Sequence, residues 1–186
     1  VIEVIEGEIK FSTGSRGMQH DFSFHHREDR VNNTNSYGTG YADAFAEWAA
    51  YVAGTRYAFS EVKINQLIDY YLDGICKQMV YGKIVDPGAR NRDISRADGS
   101  GKAGTASLER LMKASDYRKA ELEQIINTRK GEASPTLSYG KFFWQTEYYT
   151  HQRPGYFTSV RMFSTRNRNM EQPYNSEGLK NHHRGD

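Results

Sequence analysis

Four polar clusters in this 186-residue chain hold side chains able to move protons or to grip acids. The first runs His25-His26-Arg27-Glu28-Asp29-Arg30 and continues through Asn32, Asn33 and Asn35 to Tyr37-Gly38. Histidine titrates near neutrality, and a tyrosine within reach of it supplies a second proton-transfer group. The plainer alternative is a solvated loop whose charges pair among themselves. Adjacent histidines do not make a zinc site: the i, i+4 spacing of a helical pair is absent and no third ligand is in view. No metal and no other cofactor is therefore expected.

The second cluster, Arg90-Asn91-Arg92-Asp93-Ile94-Ser95-Arg96, places three arginines in seven residues of a glycine-flanked loop. Guanidinium groups hold carboxylate or sulfate through paired donors, so the loop suits an acidic ligand. A loop salt-bridged to Asp86, Asp93 and Asp98 accounts for the same residues. In the third cluster, from Arg161 through Arg166, Asn167, Arg168, Asn169 and Glu171 to Asn175, neutral amides sit among arginines. Asparagine donates to a carboxylate and accepts from a sugar hydroxyl, although a polar hairpin end has this composition too. The fourth, His182-His183-Arg184, reads as a frayed terminus. Among these clusters lie Trp48, Trp144, Tyr148, Tyr149, Tyr156 and Tyr174. Exposed rings stack on sugar faces or bases, whereas rings in strands are more often core.

The elements that must position these groups change character along the chain. Ser12 to Gly17 is turn-rich enough to break any helix begun at Val1. Tyr41, Phe45, Trp48, Ala49 and Val52 then repeat as one buried helical stripe, closed by Gly54. A second helix is predicted from Ser60 as N-cap and Glu61 in the first turn, with Ile64, Leu67, Ile68, Tyr71, Leu72 and Ile75 on one face. After a loop from Gly82 to Gly104 come two shorter helical patterns, on Leu108, Leu111 and Met112 and on Leu122, Ile125 and Ile126. Past Gly131 and Pro135 the period falls toward two. Phe142, Trp144, Thr146 and Tyr148 alternate with Phe143, Gln145, Glu147 and Tyr149, and residues Phe157 to Thr165 alternate likewise. Helices followed by strands predict an α+β chain divided into residues 1–132 and 133–186. Two or three strands do not make an independent sheet, so the remainder of a longer parent polypeptide is expected as a partner.

Composition narrows the function classes. The 25 basic residues against 23 acidic ones leave a net charge of +2, which argues against a dedicated nucleic-acid binder. No apolar run approaches the ~18–20 residues of a membrane-spanning helix, so no membrane partner is expected. The first residues lack a basic end followed by an apolar core. The single cysteine, Cys76, excludes an internal disulfide and a multi-cysteine zinc site. A hydrophobic fraction of 37% with 13% aromatics predicts a wet surface over an aromatic interior.

Three ordered segments carry a resemblance. Gly17-Met18-Gln19-His20-Asp21-Phe22-Ser23-Phe24-His25-His26, with Asn35-Ser36-Tyr37-Gly38, resembles the segment holding the catalytic His and Tyr of polysaccharide lyase family 8, the chondroitin AC, hyaluronate and xanthan lyases. Asn91 to Arg96 is similar to the arginine loop of that family. Ser159 to Arg166 and Asn175-Ser176-Glu177-Gly178-Leu179 resemble the start of its β-sandwich. The resemblance implies the last helices of an incomplete α/α toroid, followed by the first strands of an antiparallel β-sandwich, with a substrate cleft between.

It also implies a reaction, β-elimination in a uronic-acid-containing polysaccharide. The C5 proton leaves, the glycosidic oxygen departs from C4, and an unsaturated sugar results. Tyr37 matches the tyrosine that protonates the leaving oxygen, and His26 the histidine, two residues further from the tyrosine than the family spaces them. His25 is the second choice. Arg92 and Arg96 match the pair that binds sugar acid groups, Asn175 the asparagine that neutralises the substrate carboxylate, and Glu171 a residue orienting it. His25, Arg90, Asn33 and Trp144 are expected to contact substrate. An acidic glycan such as chondroitin or hyaluronan is the implied partner, in the extracellular or periplasmic space. A non-catalytic glycan-binding relative is the alternative.

Overall fold

The computed structural model describes residues 1–26, 30–90 and 101–167. α1 (Ile2–Gly7) stops with Glu8 as its C-cap, ahead of the Ser12–Gly17 turn, which leads into a minimal hairpin, β1 (Gly17–Met18) with β2 (Phe24–His25). A π-helical turn, Thr34–Gly38, runs directly into α2 (Thr39–Val52). α3 (Glu61–Asp69) continues through a second π-helical turn, Tyr70–Ile75, into a 3₁₀ turn, Cys76–Gln78. The strand pair β3 (Met79–Val80) and β4 (Ile84–Val85) and a 3₁₀ turn at Pro87–Ala89 follow, then α4 (Ala106–Ala114) and α5 (Lys119–Lys130).

Hydrophobic periodicity accounts for α3. All six apolar residues of the expected face, from Ile64 to Ile75, are buried, and Ser60 is the N-cap residue. That N-cap makes no side-chain cap; instead Glu6 of α1 accepts the Ser60 amide at 2.6 Å. Of the expected α2 stripe, Ala49 is buried and Tyr41, Phe45 and Val52 pack against the core partly buried, so only Trp48 departs from it. Ala42, Ala46, Ala49 and Ala50 are the buried residues of α2, while Trp48 remains 44% exposed. Alanines let α2 approach α4 closely.

The sheet is an antiparallel meander of β5 (Tyr139–Phe143), β6 (Tyr148–Arg153) and β7 (Tyr156–Arg161). The alternation across Phe142–Tyr149 predicts one strand, but Trp144–Glu147 forms a turn. It is closed by the Thr146 amide on the Phe143 carbonyl at 3.2 Å, with Glu147 at φ +52°. A period of two does not reveal where a strand reverses. Thr150 and Tyr139 both donate to the Lys77 carbonyl, at 2.8 and 2.9 Å, and the Gln152 side chain accepts from the Tyr81 amide at 2.9 Å. These bonds seat the sheet on the end of the α3 segment. Helices followed by an open antiparallel sheet make the chain α+β.

Candidate active site

Asparagines hold the turn that carries Tyr37. Asn32 donates to Gln78 Oε1 at 2.6 Å and accepts from Thr34 Oγ1 at 2.7 Å. Thr34 Oγ1 in turn receives the Phe24 amide at 2.9 Å and Gln78 Nε2 at 3.1 Å. All three of these polar side chains lie in the interior, where each bond left unmade would cost about 1–3 kcal/mol. Gly38 completes the π turn by donating to the Asn33 carbonyl at 2.9 Å. A Cβ on Gly38 would lie 2.8 Å from Phe24 Cβ and would collide with the Tyr70 hydroxyl, so only glycine fits.

On the outer edge of this turn Tyr37 is 38% exposed. Its ring stacks on His26 with centroids 3.6 Å apart and planes inclined by 12°. Face-to-face stacking keeps the polar atoms of both rings on their edges. Imidazole and phenol therefore serve a third group side by side rather than bonding to each other. His25 behaves differently: it is buried, with Nδ1 3.0 Å from the Ser15 carbonyl, an arrangement that makes Nδ1 the donor. Asn33 is buried as well. Its Oδ1 accepts the His26 amide at 3.4 Å and its Nδ2 lies 3.4 Å from Ser36 Oγ. Both residues brace the loop that presents His26.

Contacts from the sheet reach the same loop. Asp21 accepts Ser23 N and Oγ at 2.9 and 2.7 Å on one oxygen and the Gln145 amide at 2.7 Å on the other. Arg30 donates to Gln145 Oε1 at 2.5 Å. The β5–β6 turn, including half-exposed Trp144, is thereby fixed beside the His26 loop. Lys141 lies 5.0 Å from the ring centres of both Phe22 and Phe143, and burial pushes its amine down to about 8.

The sheet also grips the start of the arginine-rich segment. Tyr148 donates its hydroxyl to Asp86, Arg161 donates to the Gly88 carbonyl at 2.9 Å, and Ala89 packs with Phe143 and Tyr148. Burial and the Asp86 carboxylate raise the Tyr148 hydroxyl well above the ordinary tyrosine value. Arg90 is half-buried at the end of this clamp. Arg92, Arg96, Glu171 and Asn175 lie outside the described residues.

The structure thus brings together His26, Tyr37, Asn33 and the Trp144 turn. Sequence reasoning passed over Asp21, Gln145, Lys141 and Gly38. Asp21-Phe22-Ser23 bears an Asx-turn signal, but nothing local links it to Gln145. No group of three or more His, Cys, Asp or Glu able to hold a metal occurs among the described residues, and no helix among them is long and apolar enough to cross a membrane.

Residues 1–129 match the N-terminal α-helical domain of polysaccharide lyase family 8, and residues 138–186 match its super-sandwich domain. The chain belongs to polysaccharide lyase family 8. It is 29% identical over 167 residues to chondroitinase-AC of Pedobacter heparinus, covering 88% of this chain and 24% of that protein. A chondroitinase AC lyase structure, determined as enzyme–oligosaccharide complexes, superposes with a TM-score of 0.80 at 27% identity, over 92% of this chain and 26% of that one. Paenibacillus xanthan lyase has the same fold, with a TM-score of 0.75 at 17% identity over 92% of this chain and 20% of that one. So has a chondroitin AC lyase of Streptomyces coelicolor, with a TM-score of 0.73 at 16% identity over 91% of this chain and 28% of that one. The chain spans about a quarter of the length of these relatives.

Proposed function

We propose that this chain carries part of the active site of a lyase that cleaves uronic-acid-containing glycans, of the chondroitin or hyaluronan type, by β-elimination. The observation that carries the reading is the His26–Tyr37 stack on the exposed edge of a turn anchored by the buried hydrogen bonds among Asn32, Thr34 and Gln78. Family membership and the chondroitinase relatives support it.

Elimination requires the C5–H bond to break, its electron pair to form the C4–C5 double bond, and the C4–O bond to release the glycosidic oxygen. His26, stacked beside Tyr37, takes the C5 proton, and Tyr37 gives the departing glycosidic oxygen its proton, so one proton is accepted and one delivered. The C5 proton is weakly acidic until the adjacent carboxylate is neutralised, a task assigned to Asn175 with Glu171 orienting it. Arg92 and Arg96 hold sugar acid groups, and Trp144 offers a ring face to a sugar. His25 and Asn33 serve substrate only indirectly, through the loop. Polymeric substrate of this kind places the protein in the extracellular or periplasmic space, joined to the rest of its parent polypeptide.

The test incubates the whole protein with chondroitin, hyaluronan, xanthan and alginate and follows ultraviolet absorbance of the new conjugated double bond. Tyr37→Phe should lower turnover at least about 100-fold with near-native substrate affinity. Retained turnover removes Tyr37 from the chemistry. Glycan binding without any absorbance change supports the non-catalytic relative.

A further inference from the structure

Below the Tyr37 turn lies a cavity of 570 Å³, within the range of small-molecule sites at roughly 300–1,000 Å³. Its walls differ in chemistry. One presents acceptors. Asn35 is 95% buried by its 5% exposure; its amide nitrogen is spent on the Gln78 carbonyl at 3.1 Å, while its Oδ1 has no hydrogen-bond partner. Asp43 accepts both the Tyr71 hydroxyl and Ser107 Oγ, the latter at 2.6 Å, on a single oxygen, which leaves its second oxygen to a ligand. The other wall is cationic. Arg90 keeps a buried Nε without a partner, Lys102 forms no ion pair with the described residues, and Arg110 reaches Glu47 only at 3.7 Å.

Buried polar groups normally find partners, so an unpaired amide oxygen on Asn35 and an unpaired guanidinium Nε on Arg90, lining one cavity, mark what is missing. A simple oxyanion satisfies the cations but is repelled by the Asp43 carboxylate and ignored by Asn35. A neutral sugar satisfies the acceptors and leaves the cations unanswered. A molecule with several hydroxyls and one carboxylate satisfies both walls. We propose that this cavity is a saccharide-acid site, taking a single uronic acid residue, and that it is separate from the His26–Tyr37 edge. Asn35 and Tyr37 share one π turn, so a ligand here bears on the segment that presents Tyr37. The assignment does not depend on the lyase reading.

Calorimetric titration of the whole protein bearing Tyr37→Phe, with glucuronate, glucose and inorganic sulfate as separate probes, tests it. Glucuronate should bind at least about tenfold more tightly than either of the others, since each lacks one half of the match. Arg110→Gln and Lys102→Gln should each weaken glucuronate about tenfold. Asp43→Asn, which still accepts from Tyr71 and Ser107 and so keeps the fold, should weaken it severalfold. Sulfate binding as tightly as glucuronate would make the cavity a charge trap and overturn the proposal. So would absent glucuronate binding, or affinity unmoved by all three substitutions, which would locate the sugar acid at the Tyr37 edge. Failure of the lyase reading appears elsewhere, as missing absorbance from the unsubstituted protein with glucuronate binding intact.

Discussion

Arg118 and Arg90 carry the same guanidinium into half-buried surroundings and meet opposite company. Arg118 opens α5 in the left-handed region at φ +50° and is saturated. It binds Asp69 at 2.8 Å, Asp73 at 2.6 Å, and both oxygens of Glu121 at 2.7 Å. Lys77 adds a second cation to Asp73 at 2.5 Å. Burial raises the Asp73 carboxyl, but the bonds from Arg118 and Lys77 outweigh it and hold the group below its ordinary value. This cluster welds α5 to α3 and its π extension. Around Arg90, by contrast, cations and acceptors face a cavity rather than one another. Saturated charge belongs to architecture, and unsaturated buried polarity belongs to a ligand. Charge density in the sequence is similar in the two places, so it does not separate them.

The contrast breaks most readily at Arg118. Arg118→Met leaves Asp69 with Tyr117 alone and Asp73 with Lys77 alone, and should cost about 2–3 kcal/mol in urea unfolding with glucuronate affinity unchanged. A larger change in affinity than in stability would sink the distinction. Gly38→Ala tests packing in place of charge. The added methyl meets Phe24 and Tyr70, and should cost about 2 kcal/mol while displacing Tyr37, so turnover and thermal midpoint fall together.

Lys141 sharpens the comparison, because its amine is held near Phe22 and Phe143 with no carboxylate bonded to it among the described residues. Asp21 and Asp73 favour its charge from the hairpin and the α3 segment, Lys77 and Arg118 oppose it, and burial dominates. The folded amine titrates at about 8, whereas the unfolded one titrates near 10.4. Below pH 8 the folded state bears the whole cost of burying the charge. Between about 8 and 10 the unfolded chain holds the extra proton, and stability rises with pH. Lys141→Met should therefore gain about 1 kcal/mol at pH 7, a gain that shrinks toward zero by about pH 10. An equal gain at both pH values assigns the effect to packing. The smallest effect is expected at Arg110. Its exposed pairing with Glu47 at 3.7 Å predicts a stability change under about 0.5 kcal/mol for Arg110→Gln, against its tenfold effect on glucuronate.

Much of the helical region was legible because its signals are local. The Ser60-Glu61 start and the six-residue apolar face describe α3 and its π extension, although the change of helix type after Asp69 left no mark in the periodicity. On α2 the pattern found four of the five stripe residues but not the buried alanines beside them, because large rings outweigh alanines in a hydrophobic pattern whereas close helix contact selects the alanines. The β5–β6 reversal was hidden for a similar reason, since Trp144 and Thr146 preserve the alternation through a turn. At the candidate site, residue types pointed to His26 and Tyr37, and the family resemblance supplied their roles. The bracing by Gln145 was not readable, because Asp21 and Gln145 are 124 positions apart.

By itself the sequence determined the order of helices and strands, the family, and the inventory of histidines, tyrosines and arginines available for chemistry. These follow from periodicities and motifs spanning a few residues. Only the tertiary structure decided that His26 stacks on Tyr37 while His25 is buried, that Arg118 is quenched, and that Arg90 and Asn35 face an open cavity. Whether a polar group is satisfied depends on neighbours brought together from distant parts of the chain, and desolvation turns that placement into energy.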